Sequence, residues 1–217
     1  MVAKSGSKSG YHHGDLRNAL VAAAVELATE GGPERVVLRE AARRVGVSPT
    51  AAYRHFDGQA DLLHAVKVRA QVTLADRMEE AARAVPGSGD PGEAAESRVL
   101  ALGRGYIGFA RECPGLFRSA FCWVPGAPDN DWTGTVPGGP DPQFRSFDLL
   151  IQALDELLAH GRMSPGRRPL AEAAAWSAVH GISELILEGP FSRLPAEELE
   201  AVIDTTLSVV LAGLAAP

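Results

Sequence analysis

Residues 35–63 read RVVLREAARRVGVSPTAAYRHFDGQADLL, two short helical patterns joined by a tight turn and followed at once by the start of a third. Leu38, Ala41, Ala42 and Val45 recur at three- and four-residue spacing, which marks one buried helical face, while Arg39, Arg43 and Arg44 fall on the other. Gly46 stands where that helix stops, because glycine tolerates the left-handed conformation of a C-terminal cap. Ser48-Pro49 is a start signal: a hydroxyl able to accept from free backbone N–H groups, then a ring whose fixed φ suits the first helical turn. The second helix is expected to run from Ser48 to about His55, with Ala52 and Phe56 inward and Thr50, Ala51, Arg54 and His55 toward solvent. A helix, a glycine turn and a short helix with a cationic outer face make a helix-turn-helix, whose second helix fits the major groove of DNA. A basic surface hairpin with no partner would carry the same pattern, so the flanking sequence has to decide between the two.

Upstream, Leu16, Leu20, Ala23 and Leu27 stripe a helix from about Leu16 to Glu30, ended by Gly31-Gly32-Pro33. Downstream, a long helix from Gln59 keeps Leu63, Val66, Ala70, Leu74 and Met78 on one face and stops at a Pro/Gly/Ser-rich linker, residues 85–92. The rest of the chain reads as five more helices. Val99, Leu102, Tyr106, Phe109 and Cys113 mark the first, and Leu116, Phe117, Ala120 and Phe121 the short second one after Pro114. Residues 123–142 read as a mobile loop carrying Trp123 and Trp132. Phe144, Phe147, Ile151, Leu154 and Leu158 stripe the next helix, then comes a basic turn over 162–169. Residues 171–188 and 196–214 form the last two helices. The fold class expected is all-α: an N-terminal three-helix helix-turn-helix head joined by a long fourth helix to a C-terminal helical bundle. The division is a flexible tail over 1–10, a DNA-binding head over 11–57, and a ligand-binding and dimerisation body over 58–217 that includes the connecting helix, 58–84.

Composition narrows the function. A chain of 217 residues with 46% hydrophobic and 22% charged residues buries an ordinary core. No apolar run reaches the roughly 20 residues a bilayer requires, and residues 1–10 hold no apolar stretch of the signal-peptide kind. The expectation is a cytoplasmic protein without a membrane role. The net charge of −6 is unevenly spread: residues 1–57 carry 8 Lys and Arg against 6 Asp and Glu plus three His, and the remainder carries 13 against 21. A basic head on an acidic body suits phosphate binding, which answers to local potential rather than total charge. Cys113 and Cys122 form no metal or disulfide framework and read as buried thiols. Gly103-x-Gly105-x-x-Gly108 matches a dinucleotide fingerprint, but it lies inside a helical period with no strand before it, so its glycines read as close helix packing. No cofactor and no metal site is expected.

The order Val47-Ser48-Pro49-Thr50-Ala51-Ala52-Tyr53-Arg54-His55-Phe56, with Leu62-Leu63 after it and Tyr11-His12-His13-Gly14-Asp15-Leu16-Arg17 before it, resembles the DNA-binding domain of the tetracycline-repressor (TetR) family over about residues 11–75. One departure is Gln59, where the family often has a Lys that clamps a phosphate; Lys67 is a possible substitute. In the body, Trp176-x-x-x-His180-Gly181, Tyr106-x-x-Phe109-Ala110 and Pro114-x-Leu116-Phe117 are similar to the C-terminal domain type named for its Trp, His and Gly. The resemblance implies a homodimer built on the last two helices, a small-molecule cavity in the body, and a fourth helix whose tilt carries the signal to the head.

For DNA the candidates are Ser48, Thr50, Ala51, Tyr53, Arg54 and His55, supported by Arg39 and Arg17. Thr50 and the Tyr53 hydroxyl would fix register on phosphates, and Arg54 or Arg39 would read guanine through a paired donor fork; simple packing of Tyr53 on the first helix is the alternative. For a small apolar or aromatic effector they are Phe109, Phe117, Phe121, Phe147, Trp176 and His180, since ligand sites between helices are aromatic with a few polar groups; plain core packing would place the same stripes. His180 needs a partner, whether ligand, Glu184 one turn on, or backbone. His180 and Glu184 at i, i+4 are two metal-ligating side chains, too few for a site. Ile182, Leu185 and Ile186 lie off the Trp176 stripe and are expected to bury against a second copy. The function expected is a ligand-responsive regulator, a repressor, gripping a palindromic double-stranded operator as a homodimer. Two other classes stay open: a binding protein or enzyme acting on an apolar molecule with no DNA role, and a DNA-binding protein whose body only dimerises. No nucleophile elbow, metal cluster or paired carboxylates argue for catalysis.

Overall fold

The computed structural model describes residues 13–126 and 145–215, with side chains from Leu16 onward. The tail over 1–10, Tyr11, His12, Trp132 and Phe144 fall outside these, as do the side chains of His13, Gly14 and Asp15. Among the described residues the secondary structure is helical throughout: α1 (His13–Gly31), α2 (Leu38–Val45), α3 (Pro49–Ala52), α4 (Gln59–Arg83), α5 (Pro91–Glu112), α6 (Pro114–Phe121), α7 (Arg145–Ala159), α8 (Ala171–Leu187) and α9 (Ala196–Ala215), with short 3-10 turns at Pro33–Arg35, Pro165–Arg167 and Pro190–Arg193. None of these helices is long and apolar enough to cross a membrane.

The head is assembled by the signals in the quoted stretch. Gly46 adopts φ 78°, ψ 27° and caps α2, its N–H bonding back to Ala42 and Arg43. Ser48 caps α3, its Oγ accepting from Ala51 N at 3.2 Å, and Pro49 opens the first turn. Ala41, Ala42, Ala52, Phe56 and Leu62 then close on Leu20, Leu27 and Val36 in a core that continues into the body. α3 is shorter than the sequence implies. Its regular part ends at Ala52, and Arg54 N and His55 N bond to Ala51 O and Ala52 O in a tighter i→i+3 pattern. The tightening turns the buried Phe56 ring back into the core.

α4 runs from the head into the body and packs along α5, α6 and α7 as well as α1. Its buried line is Leu62, Val66, Ala70, Leu74 and Met78, with Leu63 only half-buried. Asp90 caps α5, accepting from Gly92 N at 2.7 Å and Glu93 N at 3.4 Å, while its second oxygen takes Arg162 at 2.7 Å. Of the three spaced glycines in α5, two serve packing. A side chain at Gly105 would meet the α4 backbone at Arg77 and Met78, 2.8 Å away, and one at Gly103 would meet Leu207 at 2.5 Å; Gly108 has nothing within 4 Å.

Two expected faces are corrected. α7 buries Leu149, Ala153, Leu154 and Leu157, whereas Phe147, Ile151 and Leu158 are half-buried. The helix is apolar over a broad arc, and Arg145 sets its rotation through ion pairs to Asp76 (2.6 Å) and Glu79 of α4. On α8, Ile182 and Ile186 are buried within the chain's own core and not offered to a partner; Leu185 alone of that trio is exposed. α8 sits against α5, α7 and α9, so the isoleucine face is already covered.

Candidate DNA-reading surface and aromatic site

In the head, the short α3 and the turn after it present Thr50 and Arg54 to solvent, with Tyr53 48% exposed and Ala51 half-buried. Ser48 uses an Oγ lone pair for the cap, which leaves its hydroxyl proton to donate outward. His55 is half-buried where the chain turns inward. Arg17, in the first turns of α1, lies over the Phe56 ring with its guanidinium carbon 4.8 Å from the centroid, a cation–π contact that holds it beside the end of the reading segment. Arg39 is exposed at the start of α2.

The other two arginines of the α2 face are committed inside the head. Arg44 forms a paired bridge to Glu30 of α1, Nη1–Oε1 2.7 Å and Nη2–Oε2 2.6 Å, and Arg43 grips Glu40 with 2.9 and 2.6 Å contacts. The guanidinium hydrogen bonds hold both carboxyls below their ordinary values. Arg44 is thereby withdrawn from the cationic face expected of α2, whereas Arg43, 72% exposed beside Glu40, stays at the surface with Arg39, as do Arg17 and Arg54 from neighbouring elements.

In the body, the aromatic candidates converge. Phe117 and Phe121 of α6 stand 5.1 Å apart, centroid to centroid, and His180 of α8 lies 4.8 Å from Phe121 and 5.6 Å from Phe117. Trp176 packs 6.2 Å from Phe121 and 5.9 Å from Phe147 of α7, and Phe109 of α5 reaches Phe117 at 6.3 Å. Phe109 and Phe117 are buried; Phe121, Phe147, Trp176 and His180 are half-buried and form the open edge.

The centre of the cluster is Tyr106, which the sequence reading quoted in a motif without naming it as a site residue. Its hydroxyl accepts from Trp176 Nε1–H at 3.1 Å and lies 2.8 Å from His180 Nδ1. Glu184 was one expected partner of His180; the hydrogen bond goes instead to Tyr106, 74 residues away in sequence. A tyrosine on an otherwise apolar stripe was the available signal, because a buried phenol seeks a partner. Burial lowers the His180 pKa, against the opposing pull of Glu184, so the ring is neutral at pH 7. Burial pushes the Tyr106 phenol far upward, so it keeps its proton. The indole N–H can only donate, and His180 Nδ1 is the acceptor within reach of the buried Tyr106 proton among the described residues; donation in that order, Trp176 to Tyr106 to His180 Nδ1, satisfies all three groups and puts the imidazole proton on Nε2.

The same short helix touches the head. Gly115, in the first turn of α6, is set against the end of α1: a Cβ there would overlap the Ala28 carbonyl oxygen and lie 2.8 Å from Gly32 N and 3.0 Å from Thr29 O. Only glycine permits that approach. At its other end, Ala120 O accepts from Gln71 Nε2 of α4 at 2.8 Å. Between them Arg118 bonds Glu188 beyond α8 at 3.2 Å. α6 thus joins the aromatic rings to both helices that support the reading segment.

Comparison with known proteins agrees with this arrangement. Residues 20–66 match the family described as bacterial regulatory proteins of the tetR family, and residues 99–210, just over half the chain, match the tetracyclin repressor-like C-terminal domain. YobS of Bacillus subtilis, described as an uncharacterized HTH-type transcriptional regulator, is 23% identical over 201 residues, covering 93% of each chain. A protein of unknown function from Rhodococcus sp. RHA1 superposes with a TM-score of 0.74 at 27% identity, over 96% of this chain and all of that one. A tetR-family transcriptional regulator from Streptomyces coelicolor gives a TM-score of 0.60 at 25% identity, over 95% of this chain and 84% of its own. With a reading head and a repressor-like body on one chain, the protein belongs to the TetR family of transcriptional regulators.

Proposed function

We propose that this regulator is a repressor that grips a palindromic operator as a homodimer and is released by a small apolar or aromatic molecule taken up at the cluster around Tyr106. The observation that carries the reading is the position of α6, which holds Phe117 and Phe121 in the cluster and Gly115 against α1. A molecule wedged among the rings displaces α6, and the displacement reaches α1 and α4. Coupling between two such sites typically amounts to about 1–3 kcal/mol. In this reading the head is residues 11–57 and the body 58–217, and no catalytic step is assigned to either.

On DNA, Arg54 and Arg39 supply donor forks for guanine, Thr50, Ser48 and Tyr53 hold phosphates, Ala51 and His55 lie along the groove, and Arg17 reaches the backbone from α1. The body fits the Trp-His-Gly type: Trp176 and His180 share Tyr106, and Gly181 lies on the outer side of α8 with open space around it. That outer side is the dimer surface we assign. It offers exposed Leu170 (74%), Val209 (64%) and Leu185, and an open groove of about 530 Å³ between the start of α8 and the end of α9. Paired across a twofold axis, two reading segments would fall about 34–36 Å apart, one turn of DNA.

Fluorescence anisotropy on the palindrome upstream of the protein's own gene tests the reading. Wild type binds with a strong salt dependence. Arg54→Ala and Tyr53→Ala each lose roughly tenfold or more, with unfolding temperatures unchanged because both side chains face solvent. Wild-type affinity in both variants, or equal binding to every duplex, refutes it.

A further inference from the structure

Resting on the operator-binding reading above, we infer that Arg118 is a positioning residue that sets the angle of the reading head. One amino group of its guanidinium is tied to Glu188 of the body, and the other faces Glu34 of the head.

α6 meets the head along one face. Gly115 and Arg118 stand at i and i+3, so they share a side of that helix, which packs on α1 and on the 3-10 turn Pro33–Arg35. Gly115 brings the two backbones together at Ala28 and Gly32, and Arg118 extends the joint by charge. Its Nη1 donates to Glu188 Oε1 at 3.2 Å. Its Nη2 lies 2.9 Å from the point a Cβ on Gly32 would occupy, and Glu34 Oε2 lies 2.9 Å from the same point. Cation and carboxylate thus face each other across a residue with no side chain. Gly32 sits at φ 89°, where L side chains are strained, so the backbone itself keeps the space between them open. The guanidinium is planar and rigid, so the bond from Nη1 to Glu188 fixes the direction in which Nη2 points.

The neighbouring charges leave this pairing uncontested. Glu26, Glu30 and Glu40 of the head are engaged by Arg43 and Arg44. Arg35 lies along Gly31, its Cγ 2.7 Å from the Cβ point there. Glu34 is exposed and has no ion pair of its own among the described residues. A small rotation of the head therefore closes or parts the two groups, and any movement of α6 carries Arg118 with it. An exposed pair of this kind is weak, which suits a joint that must yield.

A double-mutant cycle on the full chain tests this by fluorescence anisotropy, on the palindrome upstream of the protein's own gene and on a scrambled duplex of equal length. The ratio of the two affinities cancels the general gain in phosphate attraction that follows from removing a head carboxylate. Arg118→Gln and Glu34→Gln are each expected to lower that ratio roughly two- to fivefold, the range one exposed pair supplies. The double variant lowers it no further, because both changes remove the same interaction. A palindrome with one base pair inserted at its centre gives a second readout, which a merely structural residue would not move. A head no longer held at one angle tolerates the insertion, so its penalty shrinks in both single variants. The inference is overturned if either single variant keeps the wild-type ratio, if the insertion penalty is unchanged, or if the double variant is additive, which would leave Arg118 acting on Glu188 alone. Equal wild-type affinity for palindrome and scrambled duplex refutes the operator reading itself, and the role of Arg118 falls with it.

Discussion

Replacing Gly115 by alanine puts the joint between α6 and the N-terminal head under direct strain. The added Cβ would overlap the Ala28 carbonyl oxygen and crowd Gly32 N at 2.8 Å and Thr29 O at 3.0 Å. All three are backbone atoms, two of them in α1, so no side chain can swing aside. α6 must withdraw from α1 by on the order of an ångström, and overpacking of this kind costs about 1–3 kcal/mol. Alanine returns part of this through its helix propensity, up to roughly 1 kcal/mol in a helix interior and less in a first turn. The net destabilisation is about 1–2 kcal/mol, and at roughly 2–4 °C per kcal/mol for a chain of this length the unfolding temperature falls by about 2–8 °C. Gly108→Ala is the matched control. It lies inside α5 with nothing within 4 Å of the new methyl, so the same chemical change there raises stability by roughly 0.5–1 kcal/mol. Thermal unfolding of both variants, followed by circular dichroism, checks the opposite signs. An unfolding temperature for Gly115→Ala at or above wild type would refute the close-approach argument, and with it the mechanical role given to α6. Displaced from α1, α6 also carries Phe117 and Phe121 out of register with His180, so the variant should lose effector response at temperatures where it still binds operator.

Tyr106→Phe removes the oxygen shared by Trp176 and His180 and leaves the buried side of the imidazole without its hydrogen bond; a loss of about 1–3 kcal/mol in urea unfolding is expected. His180 gives a pH signature. Its folded pKa is lowered, so the folded state binds fewer protons than the unfolded chain, and stability present above the unfolded value of 6.5 is lost as the pH falls below it. Unfolding temperatures between pH 7.5 and 5.5 should therefore decline in wild type and decline less in His180→Gln. Arg44→Ala should lower the unfolding temperature by releasing Glu30 while leaving operator affinity near wild type, the reverse of Arg54→Ala; a selective loss of DNA binding would return Arg44 to the reading surface. Val209→Asp, on the exposed side of α9, should give a folded monomer by light scattering and abolish binding to the palindrome.

The parts of this molecule that were legible in its sequence are those decided by neighbours in sequence. α2 begins and ends at the residues its apolar spacing implies, because Gly46 alone supplies the left-handed cap and Ser48-Pro49 alone supplies the next start. The end of α3 was not legible, since it depends on how far Phe56 must turn to reach Leu20 and Leu27 of another helix. The rotation of α7 is ambiguous for the same reason. Leu149, Leu150, Ile151, Ala153, Leu154, Leu157 and Leu158 allow several apolar stripes, and Arg145 selects one by reaching Asp76 and Glu79, more than sixty residues back.

Charge obeys the same rule with a sharper consequence. A count over residues 1–57 treats Arg39, Arg43, Arg44 and Arg54 as equivalent, yet the fold closes Arg44 onto Glu30 of another helix and leaves Arg39, Arg43 and Arg54 facing solvent. In the body, Glu172, Glu184 and Glu188 look alike in sequence, and only the positions of Arg168 and Arg118 separate the uncompensated carboxylate from the compensated two. Composition thus identifies which kinds of chemistry a chain can perform, while the long-range partners of each charged side chain decide which of them is left available to a ligand. In this protein that selection leaves Arg39 and Arg54 exposed in the head and Glu184 without an ion pair among the described residues of the body.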